Sequence, residues 1–182
     1  MLKQVDDRPH EVHLVRAVVR ALRAFPVFNA RYDDDAGEIV YIRYYGIAVG
    51  VHTERGLIAP VIRDADRMTI PNIADQLAVL ADKARRAAFE VNDTRGGTFT
   101  ISNAGAMGGS RYSTPIINHP QVAILAIGRS RRQPWVVDGQ VVPRLIMPLS
   151  LSFDHRVIDG ADEVAFMKKI IGDLENPARL VL

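Results

Sequence analysis

Cysteine is absent from the 182 residues. That absence excludes disulfides, zinc–thiolate sites and a cysteine nucleophile together, and it fits a reducing compartment. Any thiol chemistry would have to come from a substrate. Long apolar runs are also missing, and none approaches the roughly 18 residues that a membrane helix needs. Nor does one sign of charge dominate: 23 basic residues stand against 21 acidic ones, a formal charge of +2. The densest basic cluster, "GRSRRQPW" with Arg129, Arg131 and Arg132, has one aromatic neighbour and no partner stripe. It reads as a solvated loop that could brush a phosphate, and neither a nucleic-acid nor a membrane partner is expected. The start, "MLKQVDDRPHEVH", lacks the basic-then-apolar layout of a signal peptide, and its aspartates argue against a transit peptide.

What is present describes one ordinary globular domain, residues 1–182, without repeat, linker or low-complexity segment. At 48% hydrophobic residues, a chain of this size buries about two-thirds of its unfolded surface. In "DDRPHEVHLVRAVVRALRAFP", Val15, Val18, Val19 and Leu22 recur at helical spacing, with Asp7 to cap the helix and Pro26 to stop it. "FNARYDDDAG" reads as a turn, followed by strands "EIVYIRYY" and "GIAVGVHT", an "ERG" turn and "LIAPVI". A second helix spans "TIPNIADQLAVLADKARRAAF", capped by Thr69 with Pro71 in its first turn. In the second half, "GGTFTIS" enters a glycine-rich loop, and "QVAILAIG" reads as a fully buried strand. "WVVDGQVVP" is a hairpin on Asp138-Gly139. "RLIMPLSLSF" leads to His155, and "DGADEVAFMKKIIGDLENP" forms a closing helix ended by Pro177. Two or three helices and a mixed sheet define an α/β (α+β) domain.

Several residues could carry chemistry. His155 follows a strand and stands four residues ahead of Asp159-Gly160. It could be a buried spacer, a metal ligand or a base. The spacing to Asp159 crosses a strand-to-helix junction, and without further ligands at a recognisable spacing no metal site is expected. A strand tip beside a glycine junction suits an imidazole projecting into a cleft, where it can act as a base near neutral pH. "HEVH", His10 to His13, falls one residue short of the zinc-protease pattern, and both histidines read as exposed helix residues. No G-x-S-x-G elbow occurs, which removes an α/β-hydrolase reading. Ser102 nonetheless ends a strand before a loop holding Gly105, Gly108 and Gly109. Its hydroxyl could donate to a developing oxyanion, or it could simply cap a turn. Those glycines do not make the G-x-G-x-x-G of a dinucleotide fold.

Taken in order, "FPVFNA", "ERGLIAPVI", "GGTFTISNAGAMGG", "HPQVAILAIG" and "RLIMPLSLSFDHRVIDGA" resemble the catalytic domain of the dihydrolipoamide acyltransferases, the E2 components of 2-oxo acid dehydrogenase complexes. "DHRVIDGA" is similar to that family's His-x-x-x-Asp-Gly signature, which other acyltransferases of the chloramphenicol acetyltransferase fold share. The resemblance implies a chloramphenicol acetyltransferase-like mixed sheet with flanking helices. It also implies a homotrimer whose interfacial channels bring His155 of one subunit to Ser102 of the next. Such trimers build cubic or dodecahedral cores.

The implied reaction moves an acyl group between dihydrolipoamide and coenzyme A, which is a substrate here. His155 would be the general base, Ser102 the oxyanion donor and Asp159 the holder of the junction, with Asn103 and Gly128 along the coenzyme A path. The lipoyl group would ride on a separate domain, and the E1 and E3 components would bind through domains outside this chain. Residence would be the bacterial cytoplasm or the mitochondrial matrix. Family catalytic domains begin several dozen residues earlier, so an N-terminally shortened form is expected. His52, in "VHTERGL", stands where the family carries an acidic residue. A catalytically silent scaffold, or a free-standing acyltransferase for a small alcohol, are the competing readings.

Overall fold

The computed structural model describes residues 10–53, 56–103 and 112–181. Helix α1 (His10–Ala24) is buried on most of its surface: Val12, Leu14, Val15, Ala17, Val18, Val19, Ala21 and Leu22 are all at 1% exposure or less. Such a helix is an axis of the core and not a surface layer. It packs against both other helices, α2 (Ile70–Arg85) and α3 (Gly160–Glu175). Helix α1 ends two residues before Pro26, which opens a short 3-10 turn. Thr69 caps α2 by accepting the N–H of Asn72, and Pro71 sits in the first turn, as the sequence predicts. The expected cap at Asp7 and the "ERG" turn at Glu54–Arg55 lie at least partly outside the described residues.

The strands run β1 (Ala30–Asp33), β2 (Glu38–Tyr41), β3 (Ile47–Thr53), β4 (Gly56–Ile58), β5 (Val61–Ile62), β6 (Phe99–Asn103), β7 (Ala123–Ile127), β8 (Arg131–Val137), β9 (Gln140–Ile146) and β10 (Leu149–Phe153). The main sheet has the order β10-β7-β6-β3-β4, with β5 also on β3. Strands β3, β6 and β7 are mutually parallel, and β10 is antiparallel to β7. This is the expected mixed sheet, with three helices.

Alternation along the strands sorts the sheet into two faces. Ile47, Val49, Phe99, Ile101, Leu125 and Ile127 join the core with the helices, and Leu149, Leu151 and Phe153 pack against it. The opposite face carries mostly small or polar residues in rows: Gly50, Ser102, Ala126 and Ser150 in one, Ala48, Thr100, Ile124 and Ser152 in the next, Ile124 being the exception. Phe166 of α3 ties the layers together. Its ring stacks on Phe28 at 3.9 Å and meets Phe99 of the sheet at 5.9 Å. Asp173, at 1% exposure, bonds Lys169 Nζ at 2.7 Å and Arg20 Nε at 3.1 Å, joining α3 to α1. Burial pushes its carboxyl up, but those two cations outweigh the effect and hold it below the ordinary value.

Three expectations change. "FNARYDDDAG" is not all turn, because Ala30–Asp33 pairs with Glu38–Tyr41. The Asp33 carboxylate accepts the N–H groups of Asp35 and Ala36, and Gly37 takes φ +67°, so the polar run closes a hairpin within itself. "RLIMPLSLSF" is divided, with Arg144–Ile146 belonging to β9 and β10 starting at Leu149 after Pro148. Arg131 and Arg132 lie on strand β8 and not in a loop, though both are exposed. Asp138 (φ +51°) and Gly139 (φ +78°) form the predicted turn of that β8–β9 ribbon. Among the described residues, no helix is long and apolar enough to cross a membrane.

Candidate active site

Ser102 stands near the end of β6 on the polar face, half-buried. Its register partner on β3 is Gly50, whose missing side chain leaves the hydroxyl room: a Cβ built there would lie 3.6 Å from Ser102 Oγ. Among the described residues the hydroxyl has no hydrogen-bond partner. Two strands away in the same row is Ser150, which with Ser152, Leu151 and Tyr112–Thr114 lines a shallow depression. Residues Gly105, Gly108 and Gly109 of the expected loop lie outside the described residues.

Asn103 follows Ser102 and pairs in register with Ile127, which places it beside Gly128 at one end of the sheet. The structure thus brings Ser102, Asn103 and Gly128 together. Asn103 Nδ2 donates to Glu11 Oε1 at 2.7 Å, fastening this end to the start of α1. Buried Gly128 donates its N–H to the Pro148 carbonyl at 2.9 Å. His52 is exposed on β3, opposite Leu57.

His155 lies at the other end. It is exposed in the turn after β10, with its ring 5.5 Å from that of Phe153. Asp154 organises this turn. Its N–H reaches the Val122 carbonyl, and its own carbonyl accepts from Val157 and Ile158. Its carboxylate accepts the Arg156 backbone N–H at 3.0 Å and the guanidinium through Nε and Nη2. Those Arg156 bonds hold Asp154 below the ordinary carboxylate value, against the upward pull of burial. Four residues after His155, Asp159 caps α3, accepting from Ala161 at 2.8 Å and Asp162 at 2.9 Å. Its carboxylate is the N-cap of the helix that follows the junction.

Register decides whether one chain can bring His155 to Ser102. Ser102 is level with Ala126, which is level with Ser150. Asp154 lies four residues beyond Ser150, about 13 Å along the strand, and β10 is two strands, or about 10 Å, from β6. The two backbones are thus roughly 16 Å apart before any side chain is counted. Within one subunit the imidazole and the hydroxyl do not meet.

Sequence reasoning passed over Arg156, which bonds Asp34 Oδ1 at 2.7 Å across 122 residues of chain. The signal was an acid and a guanidinium flanking the histidine in "DHR". Gly50 and Glu11, the neighbours of Ser102 and Asn103, left no signal in the sequence. His13, expected on the surface, is half-buried on α1 because that helix has so little free surface.

Comparison with known proteins places this geometry. The acetyltransferase component of the Staphylococcus aureus pyruvate dehydrogenase complex is 45% identical over 170 residues, which is 93% of this chain and 39% of that protein. The chain therefore spans about two-fifths of that relative's length. The solved cubic core of a pyruvate dehydrogenase multienzyme complex superposes with a TM-score of 0.88 at 37% identity, over 96% of this chain and 71% of that one. The Azotobacter vinelandii dihydrolipoamide acetyltransferase gives 0.88 at 36%, over the same shares. A chloramphenicol acetyltransferase, 22% identical over 90% of this chain and 77% of that one, has a TM-score of 0.58 and shares the fold. Residues 11–182 match the family of 2-oxoacid dehydrogenases acyltransferase (catalytic domain), and the chain belongs to that family.

Proposed function

We propose that this domain transfers an acyl group between dihydrolipoamide and coenzyme A, at sites built from His155 of one subunit and Ser102 of its neighbour in a homotrimer. The observation that carries the reading is the separation of the two residues within one chain. An exposed imidazole at one end of the sheet and a hydroxyl without a partner among the described residues at the other form a site only when a second copy supplies the missing half. The Azotobacter vinelandii relative supports the choice of residues, since its structure was determined with enzymatic work on one serine, one histidine and one asparagine in its mechanism, the asparagine four residues after the histidine. Asp159 stands at that spacing here. The cubic-core relative, part of a multienzyme complex, supports further assembly of trimers into a core; E1 and E3 components would be reached through domains outside this chain.

The chemistry follows from pKa matching. A thiol with a pKa near 8.5 is only a few per cent ionised at neutral pH, and a neutral imidazole can remove its proton. His155 takes the proton from the coenzyme A thiol. The thiolate attacks the thioester carbonyl of acyl-dihydrolipoamide, forming a C–S bond and an oxyanion that accepts a hydrogen bond from Ser102 Oγ. Collapse breaks the C–S bond to the lipoyl group, and protonated His155 returns its proton to the departing sulfur. No covalent acyl-enzyme forms, so the lack of cysteine is no obstacle. Asn103 and Gly128, at the Ser102 end, would contact coenzyme A, whereas Asp159 positions the His155 junction. The test is acyl transfer between acyl-coenzyme A and dihydrolipoamide. His155→Ala is expected to lower turnover by about 10²–10⁴-fold, and unchanged turnover would reject the base.

A further inference from the structure

Proposed catalysis uses His155 and leaves unexplained the charged cluster that brackets it. Residues on both sides of the histidine are bonded to each other: Arg156 holds both carboxylate oxygens of Asp154, with Nε at 3.1 and 3.2 Å and Nη2 at 2.7 Å. The guanidinium then extends away from the turn. Its Nη1 donates to Asp34 Oδ1 at 2.7 Å, and its carbon lies 4.2 Å above the centre of the Tyr32 ring. Tyr32 and Asp34 belong to the β1–β2 hairpin, which pairs with none of the strands of the main sheet beyond a bridge between Arg31 and Gln121.

That hairpin is itself stiff at this point. Asp33 closes the turn through two backbone N–H groups, so Asp34 is presented from a fixed backbone. By contrast, the imidazole of His155 makes no hydrogen bond among the described residues, and Phe153 is its ring neighbour. Its direction must be set by the backbone that carries it. That backbone is held by Asp154 on one side and by the Asp154–Arg156–Asp34 chain on the other.

We infer that Arg156 is a positioning residue for His155: it clips the catalytic turn to the β1–β2 hairpin through Asp34 and Tyr32. The inference rests on the reading of His155 as the base. An isolated exposed ion pair contributes little to stability, so the clip's effect is expected in geometry and not in folding. A guanidinium suits the task because one planar fork can hold Asp154, reach Asp34 and stack on Tyr32 at once. A lysine offers a point charge that cannot do all three.

The experiment uses Asp34→Ala, Arg156→Lys and the double variant in the intact assembly, with His155→Ala as reference. Two measurements are made: kcat and KM for both substrates, and the NMR signal of the His155 ring carbon, assigned from its loss in His155→Ala. Asp34→Ala is expected to lower kcat roughly ten- to a hundredfold with KM unchanged, as small misplacements of a reacting group do. The His155 signal should shift or broaden, and the double variant should be no worse than Arg156→Lys alone. Unchanged kcat, a rise in KM alone, additive losses or an unmoved His155 signal would each overturn the clip. Full turnover by His155→Ala would instead overturn the base assignment. The ring signal separates the two failures, because it reports the clip whatever the chemistry.

Discussion

A site shared between subunits makes a quantitative prediction that a site within one chain does not. The perturbation is a pair of complementary losses, His155→Ala in one subunit type and Ser102→Ala in the other. Each variant alone should lose activity, by about 10²–10⁴-fold for the base and about 10²–10³-fold for the oxyanion donor. The register places Ser102 level with Ser150 of β10, several residues short of His155 in the turn beyond that strand, and two strands away. With a backbone separation of roughly 16 Å, no rotamer change closes the gap. If the site is shared as proposed, a defect in one subunit is repaired only by its neighbour.

Arithmetic on a three-fold ring gives the size of the repair. Take a trimer with two subunits of one type and one of the other. Going round it, one junction pairs two subunits of the same type, one pairs two damaged residues, and one pairs an intact His155 with an intact Ser102. Both mixed compositions thus hold one complete site of three, and recovery of about a third of wild-type turnover is expected. Co-expression with two different affinity tags, followed by purification on both and isolation of trimers, yields such mixtures. Turnover is then measured as acyl transfer from acyl-coenzyme A to dihydrolipoamide. Mixed trimers as silent as their parents would refute the shared site, and with it the use of strand register to argue for it.

The remaining predictions concern what holds the scaffold. Phe166→Ala removes a fully buried ring stacked on Phe28, and is expected to cost about 3–5 kcal/mol in urea denaturation. Gly46→Ala should be worse than ordinary overpacking: the new Cβ would run into the Gly96 carbonyl oxygen, and backbone cannot rotate aside as a side chain can. A loss of at least about 3 kcal/mol is expected, and a midpoint equal to wild type would contradict it. Asp173 has a carboxyl held below its unfolded value of 3.8 by Lys169 and Arg20. Its contribution is therefore complete above pH 3.8 and is lost as pH falls through the lower folded value. Asp173→Asn should destabilise the protein at pH 7 and flatten the acid limb of its stability curve; a parallel curve would show that the pair contributes nothing through charge.

The readable parts of this sequence share a physical cause. Helices α1, α2 and α3 repeat their apolar residues at helical spacing because each buries a face, and Thr69 and Asp159 satisfy N–H groups that any helix start leaves unpaired. The ribbon turn is legible because Asp138-Gly139 can take the two positive φ angles it requires. Strand β1 is hidden for the same reason in reverse, although "EIVYIRYY", which holds β2, reads as a strand. Strand β1 is only four residues long and its burial does not alternate, so periodicity has nothing to report there. The run of three aspartates signalled a turn without showing how much of the segment would pair.

His155 and Ser102 lie between these cases. Each was legible as a residue type at a strand end, but a strand end does not say which end of the sheet it occupies. That follows from strand order and direction: β10 runs against β6 with β7 between them, so two residues that look alike in the sequence finish at opposite ends of one sheet. Arg156 has a local signal in "DHR", but the contact that gives it a role is long-range. Its partner Asp34 is 122 residues away, in a hairpin of which only the second strand is legible in the sequence. Local chemistry can nominate a base and an oxyanion donor. Whether they serve the same active site, and what holds each in place, are questions of topology, and here topology separates the pair within one chain while joining the His155 turn to a distant hairpin.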